Sequence, residues 1–115
     1  MLFDLDPFKT KKQKETGRGG VEEQFVKAVQ HRGGRAFKFV SINNRGVSDR
    51  VVFLPGQVWF VEIKREDGKL TELQKTFREL ALRSKANYFV VQGAKGIQEF
   101  FLAVKEKQND LSRKA

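Results

Sequence analysis

The sequence predicts an α/β protein built on a mixed sheet of about four strands flanked by helices, and three observations carry that reading. Apolar residues recur at helical spacing in two separate stretches, Val21–Val29 and Leu70–Ala81. Val58-Trp59-Phe60-Val61 is apolar at every position, as expected of a central strand covered on both faces. Asn87–Gln92 is a second short, mostly apolar run of the same kind.

Taken in order, residues 1–20 read as a basic arm. Lys9, Lys11, Lys12, Lys14 and Arg18 are spread through polar positions, and Gly17, Gly19 and Gly20 oppose a regular helix. Two roles stay open for that stretch, a phosphate-contacting arm or a solvated tail. Leu2, Phe3, Leu5 and Phe8 could dock on the body or on a second subunit. Apolar residues at 21, 25, 26 and 29 predict a helix to about His31, which Gly33-Gly34 stops. Arg35–Val40 alternates as a strand, with Phe37 and Phe39 on one face and Lys38 on the other. After a loop, Asp49–Leu54 and Gln57–Lys64 form a hairpin about Pro55-Gly56. Thr71 caps a helix to about Ser84 whose buried stripe is Leu70, Leu73, Phe77, Leu80 and Ala81. Ile97, Phe100, Phe101 and Val104 mark a last amphipathic helix. The expected order is α-β-β-β-α-β-α, one domain over residues 21–107 followed by a polar tail at 108–115.

Composition narrows the chemistry. A chain of 115 residues, 39% of them hydrophobic, makes one core rather than two domains or a disordered segment. There is no Cys, which excludes disulfides, thiolate zinc sites and a Cys nucleophile. The lone His31 excludes sites built from several His, and no nucleophile-elbow motif accompanies it. Catalysis, if present, must run on Asp, Glu, Lys and a bound hard metal, with no organic cofactor. No run approaches the roughly 18 apolar residues of a membrane span, and the opening Met-Leu-Phe-Asp-Leu-Asp-Pro lacks an apolar leader core. A cytoplasmic protein is the expectation. The balance of 23 basic to 14 acidic residues, a net +9, favours polyanionic partners, nucleic acid before membrane. The basic run has no apolar face with which to lie on a bilayer.

The informative residues are charges where the apolar pattern predicts burial. Glu22 falls within the stripe of Phe25, Val26 and Val29, and a carboxylate there is costly unless something positive meets it. Periodicity leaves a second reading open, a margin position near the favourable helix N-terminus. Glu62 and Lys64 share one face at the end of the central strand, with Ile63 on the other. They could pair with each other. Asp49, however, opens the adjacent hairpin strand and should lie beside them. Three carboxylates (Glu22, Asp49, Glu62) and one Lys are thus expected to converge. Their mutual repulsion is what Mg²⁺ or Mn²⁺ relieves, the cation then holding a phosphate oxygen and activating water. Lys64 could orient that water or neutralise phosphoryl charge. The basic surface would bring nucleic acid to the spot.

At these residues the sequence resembles the VRR-NUC family of PD-(D/E)XK nucleases, notably its small stand-alone viral members. The resemblance covers residues 21–92 through Glu22 and the helix ending in Gly33-Gly34, Phe37-Lys38-Phe39-Val40-Ser41, Arg45-Gly46-Val47-Ser48-Asp49-Arg50, Phe60-Val61-Glu62-Ile63-Lys64, and Gly68-Lys69-Leu70-Thr71-Glu72-Leu73-Gln74. An isolated Asp…Glu-x-Lys match is common by chance; the ordered series is far more specific. The resemblance implies a restriction-endonuclease-like core and metal-dependent phosphodiester hydrolysis. Asp49 and Glu62 would ligate the metal with the Ile63 carbonyl, Lys64 would assist the water, and Glu22 would complete the acidic cluster. It also implies a homodimer acting on branched DNA such as four-way junctions.

Ser48 departs from the family's usual Pro, and Glu66-Asp67 adds acid to the turn after Lys64. Gln74 stands where the family places a residue near the metal, yet Thr71-Glu72-Leu73-Gln74 is also a capping box. Lys38 suits either phosphate contact or plain exposure. Arg45, Arg50, Arg65 and Lys69 flank the expected site and suit phosphate contact, though any single one could be ordinary surface charge. Trp59 and most Phe lie on apolar runs and are expected in the core rather than as base-stacking platforms. A non-catalytic DNA-binding module on the same fold remains the alternative.

Overall fold

A computed structural model describes residues 2–4, 20–40 and 46–114. The elements run β1 (Leu2–Asp4), α1 (Val21–His31), β2 (Arg35–Val40), β3 (Arg50–Leu54), β4 (Gln57–Lys64), α2 (Glu72–Arg83), β5 (Asn87–Gln92) and α3 (Gly93–Lys114). The sheet has five strands in the order β1-β2-β3-β4-β5. All neighbours are antiparallel except β4 and β5, which α2 connects as a parallel crossover. The α/β class and the order from α1 onward are those the sequence predicts. Leu2–Asp4, inside the segment expected as an arm, instead adds an edge strand to β2.

Alternation along the strands divides the sheet into two faces. Ala36, Val52, Leu54, Trp59, Val61 and Val91 meet Phe25, Val26 and Val29 of α1 and Ile97 and Phe100 of α3 in one core. Phe100 is its hub, with edge-on ring contacts to Phe25 and Trp59 at 5.3 Å and Phe89 at 5.5 Å. Buried Gln57 ties α3 to β4, donating to the Val104 carbonyl at 3.0 Å and accepting from the Trp59 indole. Helix α3 continues to Lys114, through the residues expected as a polar tail. No Gly or Pro follows Gly96 to stop it, and Arg113 pairs with Asp110 at its end.

The opposite face is covered by α2 through Phe77, whose ring meets Phe60 at 5.7 Å and Tyr88 at 6.1 Å. Here one expectation fails. Of the stripe Leu70, Leu73, Phe77, Leu80 and Ala81, only Ala81 is fully buried, and Leu73 and Leu80 are 50% and 56% exposed. At about 100° per residue, Gln74, Phe77 and Ala81 form the line toward the sheet, which leaves Leu73 and Leu80 on the flank. Rotating α2 in this way aims a polar residue, Gln74, at the end of β4.

Candidate active site

The site lies where β3 begins and β4 ends. Register pairs Arg50 with Val61, so Asp49 precedes β3 on the level of Glu62 and on its face of the sheet. Asp49 is locked there by both ends. Its carbonyl accepts from the Phe39 amide at 2.8 Å, and its Oδ2 accepts from the Ile63 amide at 2.9 Å. The loop before it passes so close to α2 that a Cβ on Gly46 would lie 2.6 Å from the Leu73 main chain; Gly46 has φ +86°.

Glu62 is 2% exposed. Its Oε2 accepts from the Gln74 side-chain amide at 2.9 Å and lies 3.8 Å from the Lys64 ammonium. Among the described residues nothing donates to its Oε1, which is buried. Burial first, then the negative charge of Asp49, push Glu62 up to about 8; Lys64 pulls the other way without cancelling this. Glu62, pushed up in this way, favours its protonated form near neutral pH. The chemistry of this donor set, two hard carboxylates with one buried oxygen unsatisfied, fits a divalent cation as the alternative to that proton.

Gln74 closes the capping box and also reaches Glu62. Its carbonyl oxygen accepts from the Thr71 amide at 2.9 Å and its own amide donates to Thr71 Oγ1 at 3.1 Å, closing the capping box. The side-chain NH₂ is left to reach Glu62.

Glu22 does not join this group. Arg50 points to the α1 face of the sheet, and its guanidinium donates to Glu22 Oε2 at 2.8 Å and to the Ala36 carbonyl at 3.0 Å. Among the described residues no three acid or His side chains gather as a metal cage. The expected convergence of three carboxylates is corrected to a pair, because alternation sends Asp49 and Arg50 to opposite faces and Arg50 takes Glu22 with it. Arg50 is accordingly an internal anchor, 12% exposed, rather than an open phosphate contact.

Lys38, Arg65 and Lys69 are exposed. Arg45, Lys11 and Lys12 lie outside the described residues. Ser48 is fully buried, and among the described residues its hydroxyl has no partner. Three further residues belong to the neighbourhood. The Gln92 side-chain amide donates to the carbonyls of Arg65, Glu66 and Gly68, pinning the turn after Lys64. Tyr88 lies on the Glu62 face, where burial and then the Glu62 charge push its hydroxyl up to about 12, Arg78 opposing and Asp49 adding a smaller push. Helical spacing from Gln74 to Arg78 was a usable signal; nothing in the sequence fixed the register that brings Tyr88 or Gln92 here.

No helix among the described residues is long and apolar enough to cross a membrane. No family model matches the chain. A 55-residue stretch, 47% of this chain, is 47% identical to "Putative nuclease p44" of Acyrthosiphon pisum secondary endosymbiont phage 1 and spans 59% of that protein. A solved structure of a VRR_NUC domain superposes with a TM-score of 0.68 at 31% identity, over 74% of this chain and 91% of that one. With that much of a solved domain shared in both sequence and fold, the chain belongs to the VRR-NUC family.

Proposed function

We propose that the protein is a metal-dependent DNA endonuclease that hydrolyses phosphodiester bonds. One observation carries the reading: Glu62 is buried beside Asp49 with an unsatisfied oxygen and with Lys64 next to it, an arrangement that a simple DNA-coating surface has no use for. Asp49, Glu62 and the Ile63 carbonyl would hold Mg²⁺ or Mn²⁺, which when bound polarises a phosphate oxygen and acidifies an attacking water. Gln74 fixes the Glu62 rotamer through Oε2, so that Oε1 stays directed into the site. Lys64, 19% exposed and 3.8 Å from Glu62, reaches both solvent and the site. Its ammonium would orient the water and balance charge building on the phosphoryl oxygens. Glu22 is left out of the donor set because its carboxylate is committed to Arg50.

Lys38, Arg45, Arg65 and Lys69, together with Lys11 and Lys12 of the arm, would track the DNA backbone, in keeping with the net +9. Branched DNA as the preferred substrate and a homodimer as the working assembly follow from the likeness to stand-alone members of the family. The exposed Leu73, Leu80, Phe53 and Val58 on one side of the sheet give a dimer apolar surface to use.

The test is incubation of the purified protein with a labelled four-way junction and a linear duplex, in Mn²⁺ and in EDTA. The expected result is metal-dependent cleavage that Asp49→Ala and Glu62→Ala abolish while DNA binding persists or tightens. Absence of product on every DNA form, with binding retained, would instead establish the non-catalytic module.

A further inference from the structure

The strongest unassigned feature near the site is a cation without a counter-charge. Arg78 sits one turn after Gln74 on α2, about 40° round the helix, and is half-buried. Among the described residues no carboxylate lies within ion-pair distance of it, whereas Lys75 on the same helix pairs with Glu72. Beside it is Tyr88. Register places Tyr88 opposite Phe60 and Val90 opposite Glu62, so Tyr88 shares the Glu62 face one strand across and two residues back. The Phe77 ring packs on Tyr88 at 6.1 Å, fixing that ring between α2 and the sheet. A half-buried arginine and a phenol thus flank the acid pair on the side away from Lys64.

We infer that Arg78 and Tyr88 form a phosphate subsite that grips the DNA backbone next to the phosphodiester held at Asp49 and Glu62. A guanidinium offers paired donors matched to phosphate oxygens, and leaving it partly desolvated without a partner is tolerable where an anion completes it. The phenol adds one neutral donor. The subsite sits on β5 and α2, one strand over from Glu62, so it would set the register of the DNA strand rather than perform the bond cleavage. The inference deepens the nuclease reading and rests on it for the identity of the ligand.

The experiment measures fluorescence anisotropy of a labelled 20-base-pair duplex with the full-length chain in EDTA, across a salt series. Parent, Arg78→Ala, Arg78→Lys, Tyr88→Phe and Arg83→Ala are compared; Arg83→Ala removes an equal charge from an exposed position of the same helix. Arg78→Ala is expected to weaken binding about tenfold and to reduce the slope of log K against log salt by about 0.9. Arg78→Lys should keep the slope, Tyr88→Phe should weaken binding severalfold, and Arg83→Ala should match the parent. In Mn²⁺, Arg78→Ala should raise KM and leave kcat within about twofold. Parental affinity and slope in Arg78→Ala, or equal losses in Arg83→Ala, overturn the subsite. Should Arg78→Ala fail to fold, Tyr88→Phe decides by its affinity in the same assay, and parental affinity of Tyr88→Phe then overturns the subsite. Failure of the parent to cut in Mn²⁺ removes the nuclease reading alone, because the anisotropy comparison needs no cleavage.

Discussion

The Gln74 side-chain amide donates to Glu62 Oε2 at 2.9 Å while its carbonyl closes the N-cap of α2 on Thr71. One residue therefore couples the start of a helix to the most buried acid of the candidate site. Removing it should be felt twice. Gln74→Ala is expected to cost about 1–2 kcal/mol in urea unfolding, from the lost cap and the lost bond to a buried carboxyl. It should also reduce Mn²⁺-dependent cleavage at least tenfold by freeing the Glu62 rotamer. Gln74→Ala that loses stability but cleaves at the parental rate would reduce Gln74 to a helix cap.

Glu62 makes the metal-free protein sensitive to alkali. Its folded-state value of about 8 lies above the ordinary 4.5, so the native state binds more protons than the unfolded chain. The stability this contributes is fully present below pH 4.5 and is lost as pH rises through about 8. In EDTA, Tm should fall between pH 6 and pH 9 more steeply for the parent than for Glu62→Gln, which carries no ionisation there. A cation held at the proposed site would have to displace the Glu62 proton, so Mn²⁺ affinity should climb over the same interval and level off above about 8. A flat Tm profile in the parent, or Mn²⁺ binding independent of pH, would contradict the raised Glu62 value.

Much of this was legible in the chain. The all-apolar Val58–Val61 run announced the central strand, and period-two alternation put Glu62 and Lys64 on one face. The same alternation carries Asp49 to the face of Glu62 and Arg50 to the face of α1, but it reveals neither which helix covers which face nor which acid Arg50 meets. That is why Glu22 reads as a third ligand until the fold shows it tied to Arg50. The rotation of α2 was illegible for a related reason: hydrophobicity favours burying Leu73 and Leu80, and only the tertiary contact from Gln74 to Glu62 shows the helix turned away from that stripe.

The assignment of Glu22 as an anchor is itself testable. Glu22→Gln leaves Arg50, 12% exposed, with only the Ala36 carbonyl and the new amide for partners. A loss of about 1–3 kcal/mol in unfolding free energy is expected. Mn²⁺ affinity, measured by calorimetry, should stay within about twofold of the parent, since Asp49 and Glu62 are untouched. A loss of Mn²⁺ binding in a folded Glu22→Gln protein would return Glu22 to the donor set.

Gly46 gives the last expectation, because it joins backbone strain to the placement of Asp49. It adopts φ +86°, and a Cβ there would fall 2.6 Å from the Leu73 main chain, which cannot yield as a flexible side chain would. Gly46→Ala must both leave the left-handed region and push the loop off α2, at an expected cost above about 2 kcal/mol. The displaced segment leads within three residues to Asp49, whose Oδ2 meets the Ile63 amide at 2.9 Å. Cleavage should therefore fall by more than tenfold at temperatures where the variant is still folded by circular dichroism, and excess Mn²⁺ should restore part of it. By contrast Gly33→Ala, which has open space around it and φ +81°, strains the backbone without touching the site. It should lower Tm while leaving kcat near the parental value, and equal kinetic damage from both variants would show that the Gly46 loop has no special hold on Asp49.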